Sequence, residues 1–256
     1  MGKTKSYPIY RLIYWAVKLS YPKMEVVGAE NLPDGPYLAV GNHAQLHGPV
    51  ACELYFPGNR YTWCAHQMME RKEVPAYAYQ DFWSGKPKWC RWFYKGLSYV
   101  LAPISSCVFN NANTIAVYRD NRIITTFKQT VQRLEEGNGV VVFPECYEPH
   151  NHIVLQFQEN FISIAKLYYK RTGKKLDFVP LYVCPDLHKL VLGKPITFDP
   201  EAPIEEERHR ICQELMDAVT ALAEALPEHT VVPYPNIPKK QYPKSKRGDY
   251  HENTCC

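Results

Sequence analysis

Ile123–Glu145 reads IITTFKQTVQRLEEGNGVVVFPE, and its two halves follow different periods. In the first half Ile123, Ile124, Phe127, Val131 and Leu134 recur at helical spacing, and Gly137 and Gly139 follow as a stop. In the second, Val140 to Phe143 is an unbroken apolar run, which suits a strand buried on both faces. A helix feeding directly into such a strand is the repeating unit of an α/β domain with a parallel sheet.

The same alternation extends outward. Upstream, Tyr37 to Val40 (YLAV) follows the turn signal Pro33-Asp34-Gly35-Pro36. Downstream, Phe161, Ile164, Ala165 and Tyr168 mark a helix, and Phe178 to Val183 (FVPLYV) a strand. Leu190 to Leu192 and Ile196 to Phe198 read as strands flanking Gly193 and Pro195. Ile211, Leu215, Ala218, Leu222 and Leu226 form a long amphipathic helix, whose acidic start at Glu205 to Glu207 suits a helix N-terminus. The expected fold is a single α/β domain over residues 23–232, with a largely parallel central sheet flanked by helices. Chemistry on such sheets collects at the carboxyl ends of the strands.

Composition narrows the class. With 46% hydrophobic and 22% charged residues, the chain is globular rather than disordered. A net charge of +4 fits anionic lipid, phosphate or nucleic acid, and does not choose among them. The nine cysteines form no C-x-x-C pair, so reduced thiols in a cytosolic setting are expected. The first residues, Met1 to Ser6, are basic, but no apolar run with a small-residue cleavage site follows, which argues against a secretory signal. The Cys255-Cys256 pair resembles a double-geranylgeranylation end and is read as chance, since that motif works only with its own recognition system. Residues 233–256 are a Pro/Lys-rich tail, expected to be loosely ordered or draped on the surface.

Two segments point to a membrane surface. Within residues 1–22, Tyr7 to Leu19 (YPIYRLIYWAVKL) reads as a helix with Arg11 and Lys18 on one narrow stripe and apolar or aromatic residues elsewhere. It is too short and too charged to span a bilayer, and suits a helix lying in the interface. Between Phe82 and Val108, Trp83, Trp89, Trp92, Phe93 and Tyr94 are interleaved with Lys86, Lys88, Arg91 and Lys95. That pattern fits lipid head groups, stacking on single-stranded nucleic acid, or ordinary helices with basic stems along their flanks.

The candidate chemistry sits on two loops, each leaving a strand. One is Gly41-Asn42-His43-Ala44-Gln45-Leu46-His47-Gly48-Pro49; the other is Phe143-Pro144-Glu145-Cys146-Tyr147. A histidine at a strand end can act as a general base, because its ordinary pKa lies near working pH. Three chemistries could use His43. Zinc would use His43 and His47 at i and i+4, but the H-E-x-x-H glutamate is absent and Gly48-Pro49 makes a helix there doubtful. Thiol catalysis would pair His43 with Cys146, without a supporting signature. Acyl transfer would have His43 take the proton from a hydroxyl.

The third option is reinforced by four blocks in order: Asn42-His43 with Gly48-Pro49, Ile115-Ala116-Val117-Tyr118-Arg119, Phe143-Pro144-Glu145, and Val179-Pro180-Leu181-Tyr182. Together they resemble the lysophosphatidic acid acyltransferase (PlsC-like glycerolipid acyltransferase) family, with Leu192-Gly193-Lys194-Pro195-Ile196 as a family-like strand turn. The resemblance implies transfer of a fatty acyl group from acyl-CoA or acyl-carrier protein, as co-substrate, to a hydroxyl of a glycerolipid-like acceptor. It implies His43 as general base; Asn42, Arg119 and Glu145 at the acceptor site; and no metal or other cofactor. It also implies a peripheral, monotopic protein on the cytoplasmic face of a membrane, with membrane lipid as partner and no nucleic acid.

The sequence departs from the family at two places. Gly48 stands where the family has the Asp that orients the imidazole, and the family's Gly-Thr-Arg after Glu145 is replaced by Cys146-Tyr147-Glu148. The second change reverses charge where a phosphate would sit. Glu148, Asp120 and His47 are the candidates to orient His43 instead. Restoring the carboxylate by Gly48→Asp is expected to leave activity unchanged or raise it. The alternative is a catalytically impaired, acyltransferase-like lipid-binding protein. A carboxylate against the rear ring nitrogen of His43 would favour the enzyme, and an empty neighbourhood the alternative.

Overall fold

A computed structural model of the chain describes residues 7–83 and 85–246. The basic residues 1–6 and the Cys255-Cys256 pair lie outside the described residues. The first half contains α1 (Tyr7–Ser20), β1 (Glu25–Val27), β2 (Tyr37–Gly41), α2 (His47–Tyr55), β3 (Arg60–Ala65), α3 (Val74–Ala78), α4 (Arg91–Asn111) and β4 (Thr114–Val117). Then follow α5 (Ile123–Glu135), β5 (Gly139–Val142), β6 (Glu145–Pro149), β7 (Leu155–Phe157), α6 (Ser163–Thr172), β8 (Asp177–Cys184), β9 (Lys189–Leu192), β10 (Ile196–Thr197) and α7 (Ile204–Glu224).

The fold is α/β with a mostly parallel sheet, as the alternation of helices and apolar strands required. Five strands run parallel in the order β8-β2-β5-β3-β4. On the far side of β8, β9 pairs antiparallel and carries β1, while β10 pairs antiparallel with the start of β8. Strands β6 and β7 form a separate antiparallel pair beyond the end of β5.

The central strands explain their own sequences. Every residue of β2 and β5 is buried, so neither strand alternates. Leu38, Val40, Val140 and Val142 face a core shared with α5, α6 and α7. Tyr37, Ala39 and Val141 face the opposite core, with Ala51, Cys52 and Phe56 around α2. Pro180 sits where the partner of β8 changes from β10 to β9, and its carbonyl accepts from Gly193 N–H in the intervening turn at 2.8 Å. A proline is tolerated there because its neighbouring edge needs no ladder donor.

Some expectations need correction. Gly48-Pro49 does not prevent a helix; α2 begins at His47 and carries both residues in its first turn, where the N–H that proline lacks would have no intrahelical partner anyway. In α5 the buried side chains are Thr126, Thr130, Val131 and Leu134, while Ile124 is exposed. The threonines are satisfied: Thr126 donates to Ala116 O and Thr130 to Thr126 O, each at 2.8 Å. The beginning of the tail is draped on the surface, half-buried or exposed from 232 to 244, and is tied down by backbone bonds. Val231 N–H donates to Pro243 O and Ser245 N–H to His229 O, both at 2.9 Å, so residues 229–245 fold back as a strap. No helix among the described residues is long and apolar enough to cross a membrane.

Candidate active site

Strands β2 and β5 are adjacent and parallel, so their carboxyl ends deliver Asn42-His43 and Phe143-Pro144-Glu145 side by side. Both loops are anchored through main-chain atoms. Asn42 is buried; its Nδ2 donates to Val183 O at 3.1 Å, and its Oδ1 accepts from Val183 N–H at 2.7 Å. The amide thereby continues the pairing of β2 with β8 for one more residue. Glu145 is buried too, and its carboxylate accepts from His43 N–H at 2.6 Å and from Leu155 N–H at 3.0 Å. Burial lifts its pKa to about 7, against the downward pull of those two N–H groups.

After His43 the chain turns through Ala44 (φ 46°) and Gln45 (φ 55°), two side-chain-bearing residues in the left-handed region. That conformation costs on the order of 1 kcal/mol per residue. It brings His47 N–H to Ala44 O and Gly48 N–H to His43 O, each at 3.0 Å, and so starts α2. Gln45 Nε2 holds the turn to the strap, donating to Pro235 O at 3.2 Å and to Tyr242 Oη at 2.8 Å.

The His43 ring lies between two aromatic edges. Phe143 is 5.3 Å away at 65° and Tyr234 5.4 Å away at 62°, with Tyr147 tilted at 40° against Tyr234 at 5.0 Å. Burial lowers the imidazole pKa to about 4, although the nearby Gln45 and His43 carbonyls favour the charged form. Neither carbonyl reaches bonding geometry with Nδ1, which is buried and unpartnered among the described residues. The ring is therefore neutral near pH 7, and it lines a cavity of about 260 Å³.

That cavity runs between α1, α2, α4 and the face of β3, with walls that are mostly apolar. Tyr10, Ile13, Tyr14 and Val17 of α1 face it at helical spacing. Tyr147, Tyr234 and Asn236 complete the wall near His43. The tail residues among them escaped the sequence reading, because a Pro/Lys-rich composition resembles an unfolded end. The one available signal was the aromatic Tyr234 inside that tail.

None of the three candidates orients His43. His47 Nδ1 pairs with Tyr21 Oη at 3.0 Å, Asp120 is held by Arg122 at 2.8–3.0 Å, and Glu148 is exposed on β6. Geometry weighs against a gain from Gly48→Asp. A Cβ at Gly48 would lie 2.5 Å from His43 O and 3.0 Å from Phe143 Cε1, so the glycine is required by the close approach of the turn. Arg119 is exposed beyond β4, outside the cavity wall, yet its charge opposes the burial-driven rise of the Asp81 pKa. Of the four expected site residues, the fold brings Asn42, His43 and Glu145 together and leaves Arg119 at the periphery.

The sequence matches no family model and no curated protein. Among the solved structures that the chain resembles is the crystal structure of the 1-acyl-sn-glycerophosphate (LPA) acyltransferase PlsC from Thermotoga maritima. The identity is 16%, over 86% of this chain and 81% of that chain, with a TM-score of 0.49.

The other two chemistries find little here. His43 precedes α2 and His47 begins it, so the pair does not share a helix face, and the described residues contain no group of three His, Cys, Asp or Glu able to hold a metal ion. The Cys146 thiol donates to Gln156 O at 3.2 Å and is not bonded to His43.

Proposed function

We propose that this protein is a slow O-acyltransferase of a membrane surface, moving a fatty acyl group from a thioester donor to the hydroxyl of a glycerolipid-like acceptor. The observation that carries the reading is a neutral histidine on the wall of an apolar cavity, at the carboxyl ends of two central parallel strands. His43 Nε2 takes the hydroxyl proton as the acceptor oxygen attacks the thioester carbonyl. The C–O bond forms, the C–S bond breaks, and the imidazolium returns the proton to the leaving thiolate. Glu145 and Asn42 act by holding the main chain that leads into the ring. Arg119, exposed nearby, offers a fork for an anionic group of donor or acceptor.

The membrane habit is supported by apolar side chains that face outward. On α1, Leu12 and Leu19 are 73% and 84% exposed; around the start of α4, Trp89 and Trp92 are 81% and 76% exposed. The two helices pack together and both border the cavity. A lipid lying in the interface could therefore enter without crossing water. In this reading the protein is peripheral, on the cytoplasmic face.

One observation favours the second reading, a lipid-binding protein without turnover: Nδ1 of His43 has no carboxylate partner. In the serine protease triad, disabling the equivalent Asp lowers the rate about 10⁴-fold. Purified protein assayed with long-chain acyl-CoA and a lysophospholipid or monoacylglycerol separates the two. Turnover that His43→Ala abolishes supports the enzyme. Binding of the lipid without any His43-dependent turnover establishes the alternative.

A further inference from the structure

Two buried polar atoms on the cavity wall lack a hydrogen-bond partner among the described residues. One is His43 Nδ1. The other is the hydroxyl of Thr62, a residue only 7% exposed. Leaving a buried hydroxyl unpaired is unfavourable, and such a group in a folded protein commonly marks where a ligand or water completes the bond.

The surroundings of Thr62 are polar in an otherwise apolar cavity. Arg60 and Thr62 lie two apart on β3, on the same face of the sheet. Arg60 donates to Glu53 of α2 at 3.3 Å, and Tyr10 of α1 donates to the other Glu53 oxygen at 2.8 Å. Tyr10, Glu53 and Thr62 all border the cavity, so three elements converge on one polar corner. The corner is remote from His43. Thr62 pairs with Val141, and Val141 with Ala39, which is four residues before His43 and two strands across. By strand spacing and rise, roughly 16 Å separates the two positions along the sheet.

We propose that this corner is a subsite for an oxygen carried on the lipid chain, so that the cavity prefers a chain with a hydroxyl far from its reacting end over a plain saturated chain. The proposal rests on the reading of the cavity as a lipid site. Stearate has nothing to offer Thr62 and leaves the hydroxyl as unpaired as before. A hydroxyl at the matching carbon can donate to Glu53 or exchange a bond with Thr62.

The test is displacement of a fluorescent fatty acid from the full-length protein by stearate and by hydroxystearates with the hydroxyl at successive carbons. One position is expected to bind about fivefold more tightly than stearate, the worth of one neutral hydrogen bond. Thr62→Val should abolish that preference and Thr62→Ser retain it, with unfolding midpoints confirming that both variants fold. Equal binding of every chain to the wild type, or a preference that survives in Thr62→Val, overturns the subsite and leaves the lipid cavity standing. Failure of every chain to bind overturns both.

Discussion

The main-chain N–H of His43 donates to Glu145 Oε2 at 2.6 Å, so the two residues are joined through a backbone atom and not through the imidazole. The carboxylate fixes where the ring starts, while the ring itself is flanked by the edges of Phe143 and Tyr234. The pair is also electrostatically opposed, because burial pushes the two pKa values in contrary directions.

That opposition predicts an unusual pH dependence of stability. His43 titrates at about 4 when folded, against an ordinary 6.5, so its contribution to stability rises with pH across that window. Glu145 titrates at about 7 when folded, against an ordinary 4.5, so its contribution falls as pH rises through that range. Each shift corresponds to about 3 kcal/mol, and the two slopes largely cancel between about 4.5 and 6.5. Urea unfolding at a series of pH values checks this. Relative to wild type, His43→Phe should lose stability as pH rises from 4 to 6.5, and Glu145→Gln should gain it from 4.5 to 7. Variant curves parallel to the wild type would remove the argument.

Gly48 is a packing requirement. With a Cβ only 2.5 Å from His43 O, Gly48→Ala should destabilise the protein by about 2 kcal/mol, read from denaturant midpoints at constant slope. Gly48→Asp should be no more active than wild type, since its backbone must move before any carboxylate can approach Nδ1. A rise in turnover in Gly48→Asp would contradict this.

Tyr234 keeps water from the imidazole. Tyr234→Ala should raise the His43 pKa by at least about one unit, back toward 6.5, because the shift comes mainly from burial. Tyr234→Phe preserves the ring edge and should leave the pKa near 4. Proton or nitrogen NMR of the His43 ring through a pH titration distinguishes the outcomes.

The outward aromatics around the start of α4 should anchor the protein to lipid. Replacing Trp89, Trp92 and Phe93 together by alanine should lower the fraction floating with anionic vesicles by tenfold or more, since each side chain loses on the order of 1.5 kcal/mol of burial or more. Its thermal midpoint should stay near the wild-type value, because these side chains make few internal contacts. Unchanged flotation would argue that this face serves another purpose.

The central fold was legible because β2, β5 and β8 from Phe178 onward are buried on both faces and must be apolar there. Strand β3 was not, since Arg60-Tyr61-Thr62-Trp63-Cys64 mixes polar and apolar residues: one face meets a core and the other meets Glu53 and the cavity. At the site, the neighbourhood of His43 and Glu145 could be read from two strand ends. Their hydrogen bond could not, because a carboxylate that binds a main-chain N–H leaves no mark on the partner's residue type. The strap was illegible for a related reason. It is held mainly by backbone bonds and by Tyr234, Tyr242 and Ser245, none of which recurs at a regular spacing.

The bond from Gln45 to Tyr242 joins residues 197 positions apart. Every strand of the sheet precedes α7 in the chain, so during synthesis the residues of the strap emerge after all of the sheet. A nascent molecule can therefore complete its sheet while His43 is still wet and titrates like a free imidazole. Maturation of the site is then a distinct late event, and a protease that nicked the segment between α7 and Tyr242 would rehydrate the histidine without dismantling the domain beneath it.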